Sequence, residues 1–192
     1  MKPMALSMLT VCGLEELSLH GARRVTHVLS ILDPDIAEPQ AFAAYDRHHR
    51  TTLRFHDVLE PGPGLVRPEA AHVEAILAFG AEMAAGGEDE VHLLVHCHAG
   101  ISRSTAAMAT LMAQHEPDRA AADIFARLIE MRPKAWPNSR MIGFADTLLG
   151  RGGRLTAALP ALYRRQLAAF PHVRDFMRDN GRSHELRMAG AG

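Results

Sequence analysis

The sequence predicts an α/β fold: a central, largely parallel sheet with helices on both sides, followed by a helical C-terminal extension. Two observations carry this. Short apolar runs alternate with segments in which apolar residues recur every three or four positions, the order expected of strands joined by helices. Val91–His96 reads as one continuous apolar run, which suits a strand covered on both faces.

Taken in order, Ser7–Cys12 is a first strand and Gly13–His20 a short helix or loop. Val25–Leu32 is a second strand, closed by the turn residues Asp33-Pro34-Asp35. Glu38–Tyr45 reads as helical and Thr51–Phe55 as a third strand, ending at His56-Asp57. Glu60-Pro61-Gly62-Pro63-Gly64 is a loop. Pro68 opens a helix from its favoured first turn, with Val73, Ile76, Leu77 and Gly80 at helical spacing, and Gly86-Gly87 stops it. After the Val91–His96 strand, His98–Ser102 is a loop and Arg103–His115 a helix. Asp118 is expected to cap a helix reaching Met131, and Pro133 and Pro137 precede another from Asn138 to Leu149. Gly150–Gly153 resembles a linker. Leu155–Phe170 and His172–Asp179 read as helices, and the last dozen residues as frayed.

The division expected is a catalytic domain over 1–150 and a helical extension over 151–192 packed on it. At 192 residues the chain is long enough to bury a core, and 47% apolar with 22% charged residues is ordinary for a globular protein. Net charge is −1, so no global field draws it to nucleic acid or to a membrane. The charge is uneven: eight Arg against Asp175, Asp179 and Glu185 leave residues 151–192 at +5 and the rest at −6. Leu155, Leu159, Leu162, Leu167 and Phe170 in that basic segment point to packing on the domain, with dimerisation or an anionic membrane surface behind it. Lys occurs only at Lys2 and Lys134. With abundant Ala, this Arg bias suits a GC-rich bacterial genome.

Cys12 and Cys97 are the only cysteines, so no disulfide framework is expected and a reducing compartment is. Met4–Leu14 is apolar after Lys2, but the run is short and Val11 is too large for a cleavage position. Secretion is therefore not expected, and a cytoplasmic location is. No apolar run of about 18 residues is present.

The segment that carries chemistry is Val95-His96-Cys97-His98-Ala99-Gly100-Ile101-Ser102-Arg103-Ser104, between the buried strand and a helix. A strand–loop–helix turn aims backbone N–H groups and a helix N-terminus at one point, which makes an anion site. Gly100 permits a close backbone approach. Cys97 and Arg103 bracket five residues, a loop short enough to wrap one phosphate with the sulfur below and the guanidinium beside it. Arg grips two phosphate oxygens in a planar fork that Lys cannot copy. The same donors stabilise a thiolate, the nucleophilic form of cysteine.

This segment resembles the protein tyrosine phosphatase superfamily, the Cys-x5-Arg phosphatases, whose hallmark is His-Cys-x5-Arg-Ser/Thr. Ala-Gly-x-Ser-Arg-Ser looks most like its dual-specificity branch. The resemblance extends over residues 7–149 and implies a phosphotyrosine-phosphatase-like fold. It implies Cys97 as nucleophile and a phosphate cradle of His98, Ala99, Gly100, Ile101, Ser102 and Arg103. Ser104 would help the thiolate leave, and His96 would orient the loop. The family also uses a general acid on a loop after the strand before the long helix. Asp57 stands there, with Glu60 a weaker candidate, although the 40 residues from Asp57 to Cys97 are long for the family. Pro137-Asn138 matches a dual-specificity signature near the loop, so Asn138 is a supporting residue. The expected partner is a phosphorylated protein or a small aryl phosphate, with no cofactor.

Plainer readings stand beside these. A cysteine at a strand end is usually a small core residue, and that is the reading for Cys12, unless it serves as a redox partner of Cys97, as in some relatives. The plainer reading of Asp57 is a strand-end turn residue. His92, His96 and His98 invite a metal, but no acidic or cysteine ligands have the spacing, and none is expected. Arg47-His48-His49-Arg50 reads as a solvated turn. With only His98 able to be cationic among the variable loop positions, a highly charged phosphoinositide is a poor fit. Two other functions share the loop: a catalytically silent phosphate-binding module and a rhodanese-like sulfur carrier. Intact Asp57 and Arg103 favour the phosphatase over both.

Overall fold

The computed structural model of the chain describes residues 8–86 and 90–191. Four strands, β1 (Met8–Cys12), β2 (His27–Leu32), β3 (His49–Arg54) and β4 (His92–His96), form one parallel sheet in the order β1-β4-β2-β3. β4 lies inside, and all five of its residues are buried, as its unbroken apolar run predicts. Ser7 and Gly87, expected to begin a strand and to end a helix, lie outside the described residues.

Side chains alternate between the two faces of the sheet. Val11, Leu29, Ile31, Leu93 and Val95 enter the larger core. There they meet α1 (Ala70–Ala85), α2 (Arg103–His115), α3 (Ala121–Met131), α4 (Ser139–Leu148) and α5 (Arg154–Ala169). The opposite face presents Cys12, Val28 and Leu94 to Leu17, Val25 and Phe42, under two 3₁₀ segments, Leu14–Arg23 and Gln40–Ala44. Helical segments thus cover both faces, α-helices on one and 3₁₀ turns on the other. α2 is the central helix, buried from Arg103 to Ala113. It sits close to α1 because Gly80 has no side chain: a Cβ there would lie 2.7 Å from Leu111.

Several expectations change. Pro68 lies just before α1, whose N-cap is Glu69, and His49 and Arg50 begin β3 rather than a turn. Glu38–Tyr45 holds only the short 3₁₀ segment, because Phe42 is its single buried anchor. Asp118 does not cap α3, which starts after Ala120; a turn closed by Arg119 N–H on Glu116 O precedes it. The chain end is not frayed: α6 (Val173–Asp179) and α7 (Ser183–Met188) follow α5, with Met177, Leu186 and Ala189 buried in the larger core. Among the described residues no helix is long and apolar enough to cross a membrane.

All strands run the same way, so their carboxyl ends share one edge. Cys12, Ser30 and His96 are level there in register, and Leu32 is level with Arg54. Ligands of open parallel sheets collect at that edge.

Candidate active site

At this edge the chain leaves β4 through Cys97 and enters α2 at Arg103. Every carbonyl of the intervening loop is bonded away from the enclosed space. His98 O accepts from Leu14 N–H (2.8 Å), and Ile101 O from Trp136 N–H (2.8 Å). Arg132 takes two more, Nε donating to Gly100 O and Nη2 to Ala99 O, each at 2.9 Å. Ser102 O accepts from Thr105 Oγ1 (2.9 Å) and Ala106 N–H (2.9 Å). In a trans peptide the N–H points opposite to the C=O, so five consecutive N–H groups, those of residues 99–103, turn inward. That is the geometry of an anion nest.

Two glycines make the loop fit. Gly100 has φ +67°, and a Cβ there would strike the Cys12 carbonyl and lie 2.6 Å from Gly13 N. A Cβ on Gly13 would lie 2.8 Å from His98 O. Behind them Glu16 joins the parts, accepting from Gly13 N–H (2.6 Å) and pairing with Arg132 Nη1 (2.8 Å).

Cys97 is buried, with its Sγ 3.1 Å from Ser104 Oγ. His96 is buried too. Its Nε2 is 2.7 Å from Ser30 Oγ and its Nδ1 3.4 Å from Cys97 O. Burial pushes the His96 pKa down to about 4, so the ring is neutral and acts by position. Cys12 ends β1 beneath Gly100, and burial, then Glu16, pushes its thiol up to about 12. It is a protonated core residue at neutral pH.

Arg103 is nearly inaccessible. Its Nη1 donates to Asp33 Oδ1 (2.6 Å) and to Phe55 O, while its Nε is buried with no partner among the described residues. His98 is 3.7 Å from Asp33 through Nδ1, and its Nε2 accepts from Asp33 N–H (3.2 Å). Burial and then Arg103 lower the His98 pKa, which favours the neutral ring.

Asp57, after β3, lines the same cavity as Cys97 and Arg103, a space of about 440 Å³. Its Oδ1 accepts from Ser102 Oγ (2.8 Å), Asn138 Nδ2 (3.0 Å) and Arg182. Burial alone would raise its pKa, but Arg182, Arg103, Asn138 and Ser102 together hold it below the usual carboxylate range. Asn138 also caps α4, accepting from Arg140 and Met141 N–H. Glu60 is exposed and does not line the cavity.

Of the expected site residues, Cys97, His98, Ala99, Ile101, Ser102, Arg103 and Asp57 border one cavity. Gly100, Ser104, His96 and Asn138 bond or pack around it. Sequence reasoning missed Asp33, Arg132, Glu16 and Arg182. Asp33 reads as a turn residue, and no motif singles out a role for the other three. Phe176, Met177 and Asn180 also line the cavity from α6 and the turn after it. No group of three or more His, Cys, Asp or Glu among the described residues is arranged to hold a metal ion.

No family model and no curated protein matches the chain. Solved structures do match. Human DUSP28 is similar with a TM-score of 0.55 at 20% identity, over 77% of this chain and 96% of its own. The Cydia pomonella phosphatase PTP-2 gives 0.55 at 17%, over 76% and 88%. A human tyrosine phosphatase-like serine/threonine/tyrosine-interacting protein gives 0.52 at 19%, over 73% and 87%. At these identities the likeness is one of fold: the chain has the phosphotyrosine-phosphatase-like α/β fold.

Proposed function

We propose that this protein is a cysteine-dependent phosphatase that hydrolyses phosphomonoesters through a phosphocysteine. Phosphotyrosine-like aryl esters on a protein or small molecule are its leading substrates. One observation carries the reading: a buried cysteine sulfur lies at the mouth of a loop whose carbonyls all bond outward, beside an arginine whose buried Nε–H has no partner among the described residues.

The chemistry follows from those positions. Cys97 Sγ attacks phosphorus, the S–P bond forms, and the P–O ester bond breaks with its electron pair going to the leaving oxygen. Inward N–H groups and Arg103 hold the three non-bridging oxygens as charge spreads over them. Asp57 gives the leaving oxygen a proton. In the free protein its carboxyl is held ionised, but a bound phosphate dianion offsets the field of Arg103 and raises its proton affinity. Water then attacks phosphorus, Asp57 takes the proton, and the S–P bond breaks with Ser104 bonding the departing sulfur. His96 holds the Cys97 carbonyl and so orients the loop, and Asn138 holds Asp57. Residues 1–150 are the catalytic domain and 151–192 an extension packed on it. Both cysteines are free, which suits a cytoplasmic enzyme.

Hydrolysis of p-nitrophenyl phosphate by wild type and Cys97→Ser, with a chelator present, tests this. Metal-independent turnover that vanadate blocks and the substitution abolishes is expected. A folded wild type with no turnover, or a Cys97→Ser variant that keeps it, would sink the reading and move attention to phosphopeptide binding or to sulfur transfer from thiosulfate.

A further inference from the structure

Arg182 lies far along the chain from the phosphate loop, just before α7, yet its side chain ends at Asp57. The guanidinium is 5% exposed and fixed at both ends. On one side Nη1 pairs with both oxygens of Glu185, at 3.1 and 3.2 Å. Glu185 is fully buried and is itself held by Trp136 Nε1 (2.6 Å) and Ser139 N–H (2.8 Å). On the other side Nη2 reaches Asp57 Oδ1, the Asp57 carbonyl (3.2 Å) and Ser102 Oγ (2.9 Å). The Asp57 oxygens are treated unequally. Oδ1 carries the bonds from Ser102, Asn138 and Arg182, and no described residue donates to Oδ2.

We propose that Arg182 is a positioning residue of the catalytic site: it ties back Oδ1 of Asp57 and leaves Oδ2 as the single oxygen that exchanges the proton. This rests on the phosphatase reading above. In the first step Oδ2–H gives its proton to the leaving oxygen as the P–O bond breaks. In the second, Oδ2 takes a proton from the water whose oxygen bonds to phosphorus as the S–P bond breaks. The segment beyond residue 150 is then part of the active site. The charged and titratable groups facing Asp57 are Arg182, Arg103 with its partner Asp33, Cys97, His56 and His98, with Glu185 behind Arg182. Of these, Arg182 and Arg103 are the cations that favour the Asp57 carboxylate, and only Arg182 touches it.

Arg182→Gln tests the idea, with Arg182→Gln/Glu185→Gln as a second variant that leaves no buried carboxylate unpaired if the single one folds poorly. Removing the cation should raise the proton affinity of Asp57. The alkaline limb of kcat/KM, which reports loss of the Asp57 proton in the free enzyme, should therefore move to higher pH. Turnover of alkyl or weakly acidic aryl phosphates should fall about 10²-fold, the scale of losing an oriented acid. p-Nitrophenyl phosphate, whose leaving group needs little protonation, should change far less. Arg182→Lys should restore part of the difference. An NMR titration of the Asp57 carboxyl in both backgrounds reads the same coupling without turnover. An unchanged Asp57 titration, or a wild-type pH limb and leaving-group dependence in the folded variants, would overturn the proposal. Cys97→Ser, assayed alongside, separates that result from failure of the phosphatase reading itself.

Discussion

At the scale of single residues, burial sets the chemistry of His96. An isolated histidine titrates near 6.5, and here the ring is pushed down to about 4. The unfolded chain takes up a proton through that window and the folded protein does not. Stability is therefore complete above pH 6.5 and falls as pH drops towards 4, by roughly 3 kcal/mol in all. Denaturant melts from pH 7 to 4 should show this slope, and His96→Asn should flatten it. Gly100 is the second position with a sharp expectation. A left-handed backbone costs an L-residue about 1–2 kcal/mol, and a Cβ at Gly100 also collides with Cys12 and Gly13. Gly100→Ala should thus abolish aryl phosphate turnover while far-UV circular dichroism still reports a folded chain. The loop from Cys97 to Arg103, with Gly100 inside it, was legible in the sequence because a buried apolar run ends just before it and a helix pattern starts just after. Asp33 was not, since a turn aspartate and an arginine partner look alike until β2 and β4 are set side by side.

Elements of structure explain why the Cys97–Arg103 loop keeps its shape. Its carbonyls are held by the first 3₁₀ segment through Leu14, by Arg132 at the end of α3, by the Pro-rich turn through Trp136, and by α2 itself. Arg132 holds two of them from one side chain, with Glu16 bracing it. Arg132→Ala should release the Ala99–Gly100 peptides, and displacement on the order of 1 Å costs about 10²-fold in rate. Steady-state kinetics should find that loss mainly in kcat, with little change in thermal stability. The strands and α2 were readable because each carries a periodic or unbroken apolar pattern. The 3₁₀ segment at Gln40–Ala44 was not, because one buried phenylalanine gives no period to read. α7 was hidden for a related reason: of its two buried residues, Leu186 alone is apolar, and Glu185 is a residue type that sequence patterning assigns to the surface.

Across the whole molecule, one polar chain links the C-terminal helices to the carboxyl edge of the sheet: Trp136 and Ser139 to Glu185, Glu185 to Arg182, Arg182 to Asp57. Trp136 stacks on Tyr163 of α5 at 4.5 Å, and Tyr163 donates to Pro137 O (2.6 Å), so α5 braces the same turn. Glu185→Ala would take one of two carboxylate partners from a buried arginine that keeps Asp57, a loss of up to about 3–5 kcal/mol. Urea unfolding should register that loss as a lower midpoint. The central claim is that phosphate passes through Cys97. Acid-quenched reaction of Asp57→Asn with an aryl phosphate, followed by peptide mass spectrometry, tests it most directly, because slowing the step that needs Asp57 as base lets the intermediate accumulate. Phosphate on the peptide that contains Cys97 is the predicted result; steady turnover with that cysteine never labelled would contradict the account.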